Sequence, residues 1–299
     1  MCDTTAYLQS LGCSVLEKEP LSAHTSFKIG GAADWLVTVK TKQQAVDVLQ
    51  FCHKEKLPVF FLGNGSNLLV SDHGVEGVVL RVNTENALAV NGTEITVGAD
   101  VLLSRLCRAA YENGLTGLEF AYGIPGTVGG GTYMNAGAYG GQLSDVIVSA
   151  TVLTKTGEWQ EIPASEMEFD YRHSMFMKRP LLIWSVTLRL QKGNSSQIKQ
   201  AMEQHIASRK EKQPLEYPSG GSFFKRPSGH FAGALIEQCG LKGATVGGAQ
   251  ISEKHAGFLI NRGGATCADV MALCRQVQEE VQERFGVRLE REVQFIGRQ

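Results

Sequence analysis

A glycine-rich segment from Gly123 to Gly141 contains the residues that most directly suggest chemistry in this chain. It holds eight glycines in nineteen residues, and apolar residues such as Val128 and Tyr133 lie between them, which indicates a packed segment rather than a flexible linker. Glycine permits positive φ and lets main-chain N–H groups approach a bulky ligand. An uncharged array of such groups suits a phosphate or pyrophosphate. The glycine count alone is equally compatible with a loop that only makes tight turns.

Motifs of the common nucleotide- and metal-dependent enzymes are absent from the sequence. The turn from Gly63 to Leu68 lacks the third glycine of the G-x-G-x-x-G fingerprint, and no Gly-Lys dipeptide supports a Walker phosphate loop. The His-Glu-x-x-His, EF-hand and Gly-x-Ser-x-Gly patterns are also missing. These absences disfavour a Rossmann dehydrogenase, a P-loop ATPase, a zinc hydrolase and an α/β-hydrolase. A nucleotide cofactor, if bound, requires a different fold.

The composition is that of an ordinary globular protein with little net charge. The 299 residues suffice for two or three packed units, and a formal net charge of −1 gives no electrostatic support for binding nucleic acid. The seven cysteines are scattered without a C-x-x-C pair, which predicts reduced thiols and no metal site. Neither a signal peptide nor an apolar run of about 20 residues is visible, so we expect a cytoplasmic protein without membrane insertion.

Helix and strand patterns mix irregularly along the chain, which favours an α+β fold over a doubly wound parallel sheet. Capping-box patterns begin two of the helices, at Thr41 with Gln44 and at Thr266 with Asp269. Asp100 is expected to cap another helix. The predicted helices cover 40–56, 100–113, 196–210 and 266–284. The predicted strands cover 58–62 (buried), 78–82, a hairpin over 87–97 that turns at Asn91-Gly92, then 146–154, 159–162, 181–190 and 287–296.

Six segments together resemble the UDP-N-acetylenolpyruvoylglucosamine reductases, the flavoproteins that reduce an enolpyruvyl ether to UDP-N-acetylmuramate for peptidoglycan. They occur in the family's order from about residue 20 to residue 296, and their combination is highly specific. The matching segments are His24–Gly31, Phe61–Asn67, Gly123–Gly130 with Met134–Gly137, Tyr171–Ser174, Gly221–Pro227 and Leu289–Val293.

The resemblance implies an α+β protein with a two-part FAD-binding fold of the vanillyl-alcohol-oxidase (PCMH) type. That region would cover residues 1–192, with a split near residue 80, and an α+β substrate domain would cover 193–299. FAD would be held non-covalently, and NADPH would donate the hydride. The residues expected to hold FAD are Gly63, Asn64, Gly65, Ser66, Asn67, Gly123, Ile124, Pro125, Gly126, Thr127 and Gly130. Without the other segments, Gly63–Asn67 would read as an ordinary turn.

The resemblance also implies roles for three catalytic residues. Arg172 would hold the substrate's carboxylate, where negative charge develops as hydride adds to the enol ether. Ser222 would donate the proton to the α-carbon, which requires neighbours that polarise its hydroxyl and exclude water. Strand alternation cannot separate Glu290 from Glu292, which share a face. The family pattern selects Glu292 to stabilise or protonate the enol intermediate and leaves Glu290 as a solvated charge.

Lys212, Lys225 and Arg226 are candidates for binding the diphosphate of the UDP-sugar substrate. The chain resembles a short subtype that lacks the insertion bearing a tyrosine, and Arg226 stands where the long subtype has asparagine.

We favour a monomer. Two other readings remain open at this point: an FAD-dependent oxidase of a sugar alcohol or lactone on the same fold, and a nucleotide-sugar-binding module without redox chemistry.

Overall fold

The structure is a computed structural model that describes residues 3–298. Within these residues the chain folds into two compact units, each built from several segments. The helices are α1 Thr4–Ser10, α2 Lys42–Lys54, α3 Leu103–Glu112, α4 Val128–Met134, α5 Ser195–Lys212, α6 Ala232–Gln238 and α7 Cys267–Phe285.

The strands are mostly short. They are β1 Ser14–Pro20, β2 Ala32–Val39, β3 Val59–Phe61, β4 Leu68–Val70, β5 Val75–Val82, β6 Leu88–Asn91, β7 Glu94–Gly98, β8 Leu115–Thr116, β9 Gly137–Ala138, β10 Gly141–Gln142, β11 Ile147–Leu153, β12 Trp159–Pro163, β13 Leu182–Arg189, β14 Gln191–Lys192, β15 Ser219–Ser222, β16 Thr245–Val246, β17 Ala249–Ile251, β18 Phe258–Asn261 and β19 Gln294–Ile296.

The first unit comprises residues 3–17, 35–64 and 77–209. An antiparallel sheet with strand order β12-β11-β13-β7-β6 forms its larger part, and its apolar side chains share one core with α3 and α4. A second sheet has the order β1-β2-β5-β3, in which β3 pairs with β5 in parallel, and it packs with α1 and α2. The capping box of α2 forms as predicted, because Thr41 Oγ1 accepts from the N–H of Gln44.

The second unit comprises residues 18–34, 65–76 and 210–298. Its antiparallel sheet has the order β15-β18-β17-β16, and it shares a core with α6 and α7. Strand β19 pairs in parallel with β4, so the end of the chain lies beside the segment that follows Asn67. The α7 helix begins at the predicted capping box of Thr266 and Asp269, and it ends at Gly286 in the left-handed conformation.

Several local predictions were wrong. Asp100 does not cap α3, whose N-cap is Leu102; its carboxylate instead accepts a hydrogen bond from the Thr84 hydroxyl. The 87–97 hairpin turns one residue later than predicted, because Asn91 pairs with Glu94 and Gly92 takes the first central turn position at φ 62°. Strand β3 is half-buried rather than buried.

The predicted strand over 287–296 is confirmed only as β19, and the preceding residues are extended with one isolated bridge between Arg291 and Phe224. The two compact units also do not correspond to one boundary in the sequence, such as the predicted boundary at residue 192. Residues 195–209 of α5 belong to the first unit, whereas residues 18–34 and 65–76 belong to the second. The predicted division of function at residue 192 stays a prediction.

The described cysteines are free thiols, and burial keeps most of them protonated. Burial raises the pKa of Cys52 to about 12, and it is the main cause that raises the pKa of Cys13, Cys267 and Cys274 to about 11. Such thiols carry little thiolate at neutral pH and act as small apolar groups in the core. Among residues 3–298 no helix is long and apolar enough to cross a bilayer.

The capping box of α7 provides a test of how this helix is held. Thr266→Ala removes the oxygen that accepts from the Asp269 N–H at 3.0 Å, so we expect a loss of about 1 kcal/mol in the free energy of unfolding. Urea titration of both proteins measures this difference. Thr266→Ser keeps the acceptor and should retain most of the stability. Equal losses in the two variants would contradict a capping role for the hydroxyl.

Candidate active site

The glycine-rich segment is a packed element of the first unit. Its central part forms α4, and Thr127 caps this helix through a hydrogen bond that its Oγ1 accepts from the Gly130 N–H at 3.3 Å. Two of its glycines are needed for close packing. A Cβ at Gly129 would lie 2.8 Å from Ala99 Cβ, and a Cβ at Gly131 would lie 2.7 Å from a methyl of Leu143. The sequence density of glycine therefore reflects close approach of the backbone as well as turns.

Main-chain donors in this segment remain free of protein acceptors. The N–H groups of Gly123, Gly126 and Thr127 make no hydrogen bond to another residue in the described range 3–298, whereas those of Val128 and Gly129 bond to main-chain carbonyls. Since Gly126 and Thr127 are buried, unpaired donors there would be costly without a ligand. This arrangement fits the pyrophosphate of FAD, which accepts hydrogen bonds from main-chain donors without cationic side chains.

The loop Gly63–Asn67 offers a second set of main-chain donors. The N–H groups of residues 63–66 likewise have no acceptor within the described part of the chain. In the first unit, Asn64 Nδ2 donates to the carbonyl oxygen of Pro125 at 2.6 Å, which ties the start of this loop to the glycine-rich segment. In the second unit, Gly65 has φ 62° and a Cβ there would overlap the carbonyl oxygen of His24. The loop thus offers main-chain donors of the kind that a phosphate site requires.

Arg172 occupies a strained turn in the first unit. Asp170 and His173 bond to each other through both main-chain pairs at 3.1 Å, so Tyr171 and Arg172 form a two-residue turn. Arg172 has φ 52°, a left-handed conformation that normally selects glycine. Its Nη2 donates to the carbonyl oxygen of Gly137 at 2.7 Å, and its guanidinium lies 5.0 Å from the Tyr171 ring centroid. This turn is thus one of several places in the described chain where a residue other than glycine takes positive φ.

Two fully buried polar residues anchor this turn to the end of α4. Asn135, which is left-handed at φ 44°, donates from Nδ2 to the Asp170 carbonyl oxygen at 3.0 Å. Ser174 donates from Oγ to the Tyr133 carbonyl oxygen at 2.6 Å. Because the glycine-rich segment leads directly into these anchors, the position of Arg172 follows from the packing of that segment.

The second unit brings three predicted site residues together. Ser222 ends β15 after Gly221, whose φ of 82° accompanies an irregularity in the register with β18. The Glu292 N–H donates to the carbonyl oxygen of Phe223 at 2.8 Å, so Glu292 lies beside the residue that follows Ser222. The Lys225 N–H donates to the Glu290 carbonyl oxygen at 2.8 Å. Ser222, Lys225 and Glu292 therefore lie on two adjacent extended segments.

The side chains of this group differ in exposure. Ser222 is exposed, so residues of the second unit do not by themselves supply the dry environment that a serine proton donor requires. Glu292 is half-buried and Glu290 is exposed, which is the difference the sequence interpretation expected between the two carboxylates. Lys225 Nζ lies 3.4 Å from Glu290 Oε2 in a solvent-exposed ion pair that contributes little to stability.

The other two predicted substrate-binding residues lie elsewhere on the chain. Lys212 is exposed at the C-terminal end of α5. The Arg226 guanidinium carbon lies 3.9 Å from the ring centroid of Phe231, which is itself exposed. This contact holds the arginine head group over an aromatic face. Neither side chain is buried, so both are accessible from solvent.

Sequence reasoning missed the contacts that α5 makes with the glycine-rich segment. Tyr139 is exposed to solvent on the surface, where its ring stacks on that of His205 with the centroids 4.0 Å apart. Arg209 fills the space beside Gly123, where a Cβ would overlap its side chain. Burial lowers the pKa of Arg209 and of His205. No local pattern in the sequence predicts these contacts, because α5 lies far from residues 123–141 along the chain.

The left-handed backbone at Arg172 predicts that glycine is more stable than alanine at this position, whereas alanine is usually the more stable of the two. Arg172→Gly and Arg172→Ala both lose the bond to Gly137, so they differ mainly in backbone freedom. Alanine pays about 1–2 kcal/mol in the left-handed region, whereas glycine adds about 0.4–1 kcal/mol of unfolded-state entropy. From the middle of both ranges, we expect the glycine variant to be more stable by about 0.8 kcal/mol in urea unfolding.

Lys178 provides the matched control for this comparison. It is exposed and has φ −102°, so alanine should be more stable than glycine at that position. If the alanine variant at 172 equalled or exceeded the glycine variant, the strain assigned to this turn would be wrong.

Comparison with known proteins identifies two matching family models. The FAD binding domain model matches residues 33–163, and the model of the UDP-N-acetylenolpyruvoylglucosamine reductase C-terminal domain matches residues 213–296. The predicted α+β fold, an FAD-binding region of the PCMH type followed by a C-terminal domain of this family, is thereby confirmed. A BBE-like 1 variant from Physcomitrella patens, 16% identical with a TM-score of 0.51 over 63% of this chain and 44% of its own, shares the fold alone.

Full-length relatives agree with these models. The UDP-N-acetylenolpyruvoylglucosamine reductase of Clostridium kluyveri is 50% identical over 93% of this chain and 92% of its own, and that of Listeria monocytogenes is 48% identical over 93% and 94%. The crystal structure of the Thermus caldophilus enzyme superposes with a TM-score of 0.83 at 36% identity and covers 95% of this chain and 99% of its own. The chain therefore belongs to the family of UDP-N-acetylenolpyruvoylglucosamine reductases, which are FAD-dependent oxidoreductases.

Proposed function

We propose that this protein reduces UDP-N-acetylglucosamine enolpyruvate to UDP-N-acetylmuramate in peptidoglycan precursor synthesis, with NADPH as the reductant. The observation that carries the proposal is the similarity, over more than nine-tenths of the chain, to reductases of that name. We further propose that residues 1–192 bind FAD and residues 193–299 bind the UDP-sugar.

The cofactor assignment is supported by the free main-chain donors in the loop Gly63–Asn67 and in the glycine-rich segment. These two segments would hold the pyrophosphate of a non-covalently bound FAD. Bound FAD would supply the chemistry of hydride transfer, with NADPH as the donor and the β-carbon of the enolpyruvyl group as the acceptor. The protein's own residues must then bind the substrate carboxylate, stabilise the charge that develops and deliver one proton.

Arg172 is assigned to the substrate carboxylate. Hydride addition to the β-carbon places negative charge on the α-carbon and its carboxylate, and a fixed guanidinium interacts more strongly as this charge grows. The turn that holds Arg172 is anchored by the buried residues Asn135 and Ser174, so little reorganisation is needed to place its head group. This preorganisation supports the assignment.

Ser222 and Glu292 are assigned to proton delivery at the α-carbon. Ser222 Oγ would donate the proton, and Glu292 would stabilise or protonate the enol intermediate. Their assignment is supported by the main-chain bond that sets Glu292 beside Phe223. Because Ser222 is exposed in the second unit alone, the bound substrate and cofactor would have to exclude water from its hydroxyl.

Lys212, Lys225 and Arg226 are assigned to the diphosphate of the UDP-sugar. All three cations reach solvent, and Lys225 would exchange its exposed partner Glu290 for a phosphate oxygen. Arg226 stands where the long subtype of the family has asparagine. Its guanidinium, stacked on Phe231, would offer the diphosphate several charged N–H donors in place of the neutral amide of asparagine. We retain a monomer as the expected state.

Anaerobic absorption spectroscopy of the purified protein tests the proposed function. We expect oxidised-flavin bands that bleach with NADPH and return when UDP-N-acetylglucosamine enolpyruvate is added. Bands that return only with oxygen would favour an oxidase of a sugar alcohol or lactone. A protein that holds no flavin after reconstitution with FAD, yet binds UDP, would favour a binding module without redox chemistry.

Ser222→Ala separates the two half-reactions. We expect flavin reduction by NADPH to be unchanged within about threefold, because the hydroxyl is not required for that step. Reoxidation by the enolpyruvyl sugar should slow by about 100-fold or more, because the proton donor is missing. Stopped-flow absorbance measures both rates. Ser196→Ala, at an exposed serine near the start of α5, serves as the control and should alter neither rate. Equal losses in both half-reactions would contradict the assigned role.

A further inference from the structure

The main chain of Glu292 makes hydrogen bonds to two other segments of the second unit. Its N–H donates to the Phe223 carbonyl oxygen at 2.8 Å, next to Ser222. Its carbonyl oxygen accepts from Asn67 Nδ2 at 3.1 Å. The Asn67 side chain therefore holds the peptide that follows Glu292, whereas Phe223 holds the peptide that precedes it.

Asn67 makes this contact where regular strand pairing begins. Its carbonyl oxygen accepts from the Gln294 N–H at 3.0 Å, and β4 and β19 then pair in register from Leu68 with Gln294 to Val70 with Ile296. Glu292 precedes this ladder by two residues, so strand pairing alone does not hold its peptide. The hydrogen bond from the Asn67 amide to the Glu292 carbonyl oxygen connects that peptide to the start of the β4–β19 pairing.

The loop that carries Asn67 is itself tied to the strand that carries Ser222. The carbonyl oxygen of Gly65 accepts from the Ser26 N–H at 3.2 Å, and the Ser26 hydroxyl donates to the Ser219 carbonyl oxygen at 2.6 Å. Ser219 begins β15, which ends at Ser222. Two separate hydrogen-bonded routes therefore connect the loop proposed to bind FAD with the two residues proposed to deliver the proton.

We propose that Asn67 is a positioning residue for the oxidative half-reaction: through its amide it fixes the peptide of Glu292 against the cofactor loop. This inference rests on the proposed function, and it adds to Asn67 a role that is separate from contact with FAD. An amide is required because the Glu292 carbonyl oxygen needs a donor. An ionised carboxylate of the same shape has no donor and would repel that oxygen.

The test compares Asn67→Ala and Asn67→Asp with the wild-type holoenzyme in excess FAD. Because Asn67 also belongs to the loop proposed to hold FAD, the readout is the ratio of the two half-reaction rates rather than an unchanged rate of reduction by NADPH. Relative to reduction by NADPH, reoxidation by UDP-N-acetylglucosamine enolpyruvate should fall by about 10- to 100-fold, because displacement of a catalytic group by an ångström costs rates of this order. Asn67→Asp should be at least as slow as Asn67→Ala, although it is closer to asparagine in size.

A double-mutant cycle shows whether Asn67 acts through Glu292. In the Glu292→Gln background, Asn67→Ala should slow reoxidation by less than threefold, because the group that it positions is already disabled. Asn261→Ala is the structural control. Asn261 is buried and its Nδ2 donates to the Phe27 carbonyl oxygen at 3.2 Å in the same unit, so this variant should lower stability without selectively slowing reoxidation.

The outcomes separate this inference from the proposed function. If wild type shows no reoxidation by the enolpyruvyl sugar, the proposed function fails. If wild type turns over and the Asn67 variants slow both half-reactions equally, or if their effects multiply with that of Glu292→Gln, the positioning role is overturned. Loss of flavin from both variants in excess FAD would also overturn it, because Asn67 would then act in flavin binding alone.

Discussion

The second unit depends on a backbone contact that only glycine allows. The segment around His24 to Ala32 runs so close to residues 65–74 that a Cβ at Gly65 would overlap the His24 carbonyl oxygen, and a Cβ at Gly74 would overlap that of Ala32. Between these glycines lies β4, which pairs with β19, and β19 begins two residues after Glu292. A side chain at either glycine would push apart the segments that position the cofactor loop and the proposed proton-delivering glutamate.

The proposed catalytic residues, Arg172 in the first unit and Ser222 with Glu292 in the second, are positioned by main-chain geometry more than by side-chain packing. Arg172 sits in a left-handed turn position that its own side chain disfavours, and two buried polar residues hold that turn in place. Ser222 follows a glycine with positive φ at an irregularity of β15, and Glu292 lies just before β19 begins. Irregular backbone of this kind allows a side chain to leave the plane of a sheet, whereas regular pairing would bury every second residue.

Much of the local structure could be predicted because its causes are local. The capping boxes at Thr41 and Thr266 each depend on residues within one helical turn, and both formed as expected. Predictions were wrong where a distant partner competed. Asp100 accepts from Thr84 instead of capping α3, and among residues 287–293 only Arg291 forms a β-bridge, with Phe224 in a distant part of the chain.

By itself the sequence determined the α+β class, the family and the types of residue available for chemistry, since these follow from composition, order of motifs and short-range periodicity. Only the tertiary structure decided which of Glu290 and Glu292 is the less exposed, because alternation places both on one face and long-range pairing with Phe223 and Asn67 separates them. It also revealed Arg209 against Gly123 and the link from Asn67 to Glu292. Those contacts join residues far apart in the chain, where no local pattern carries the information.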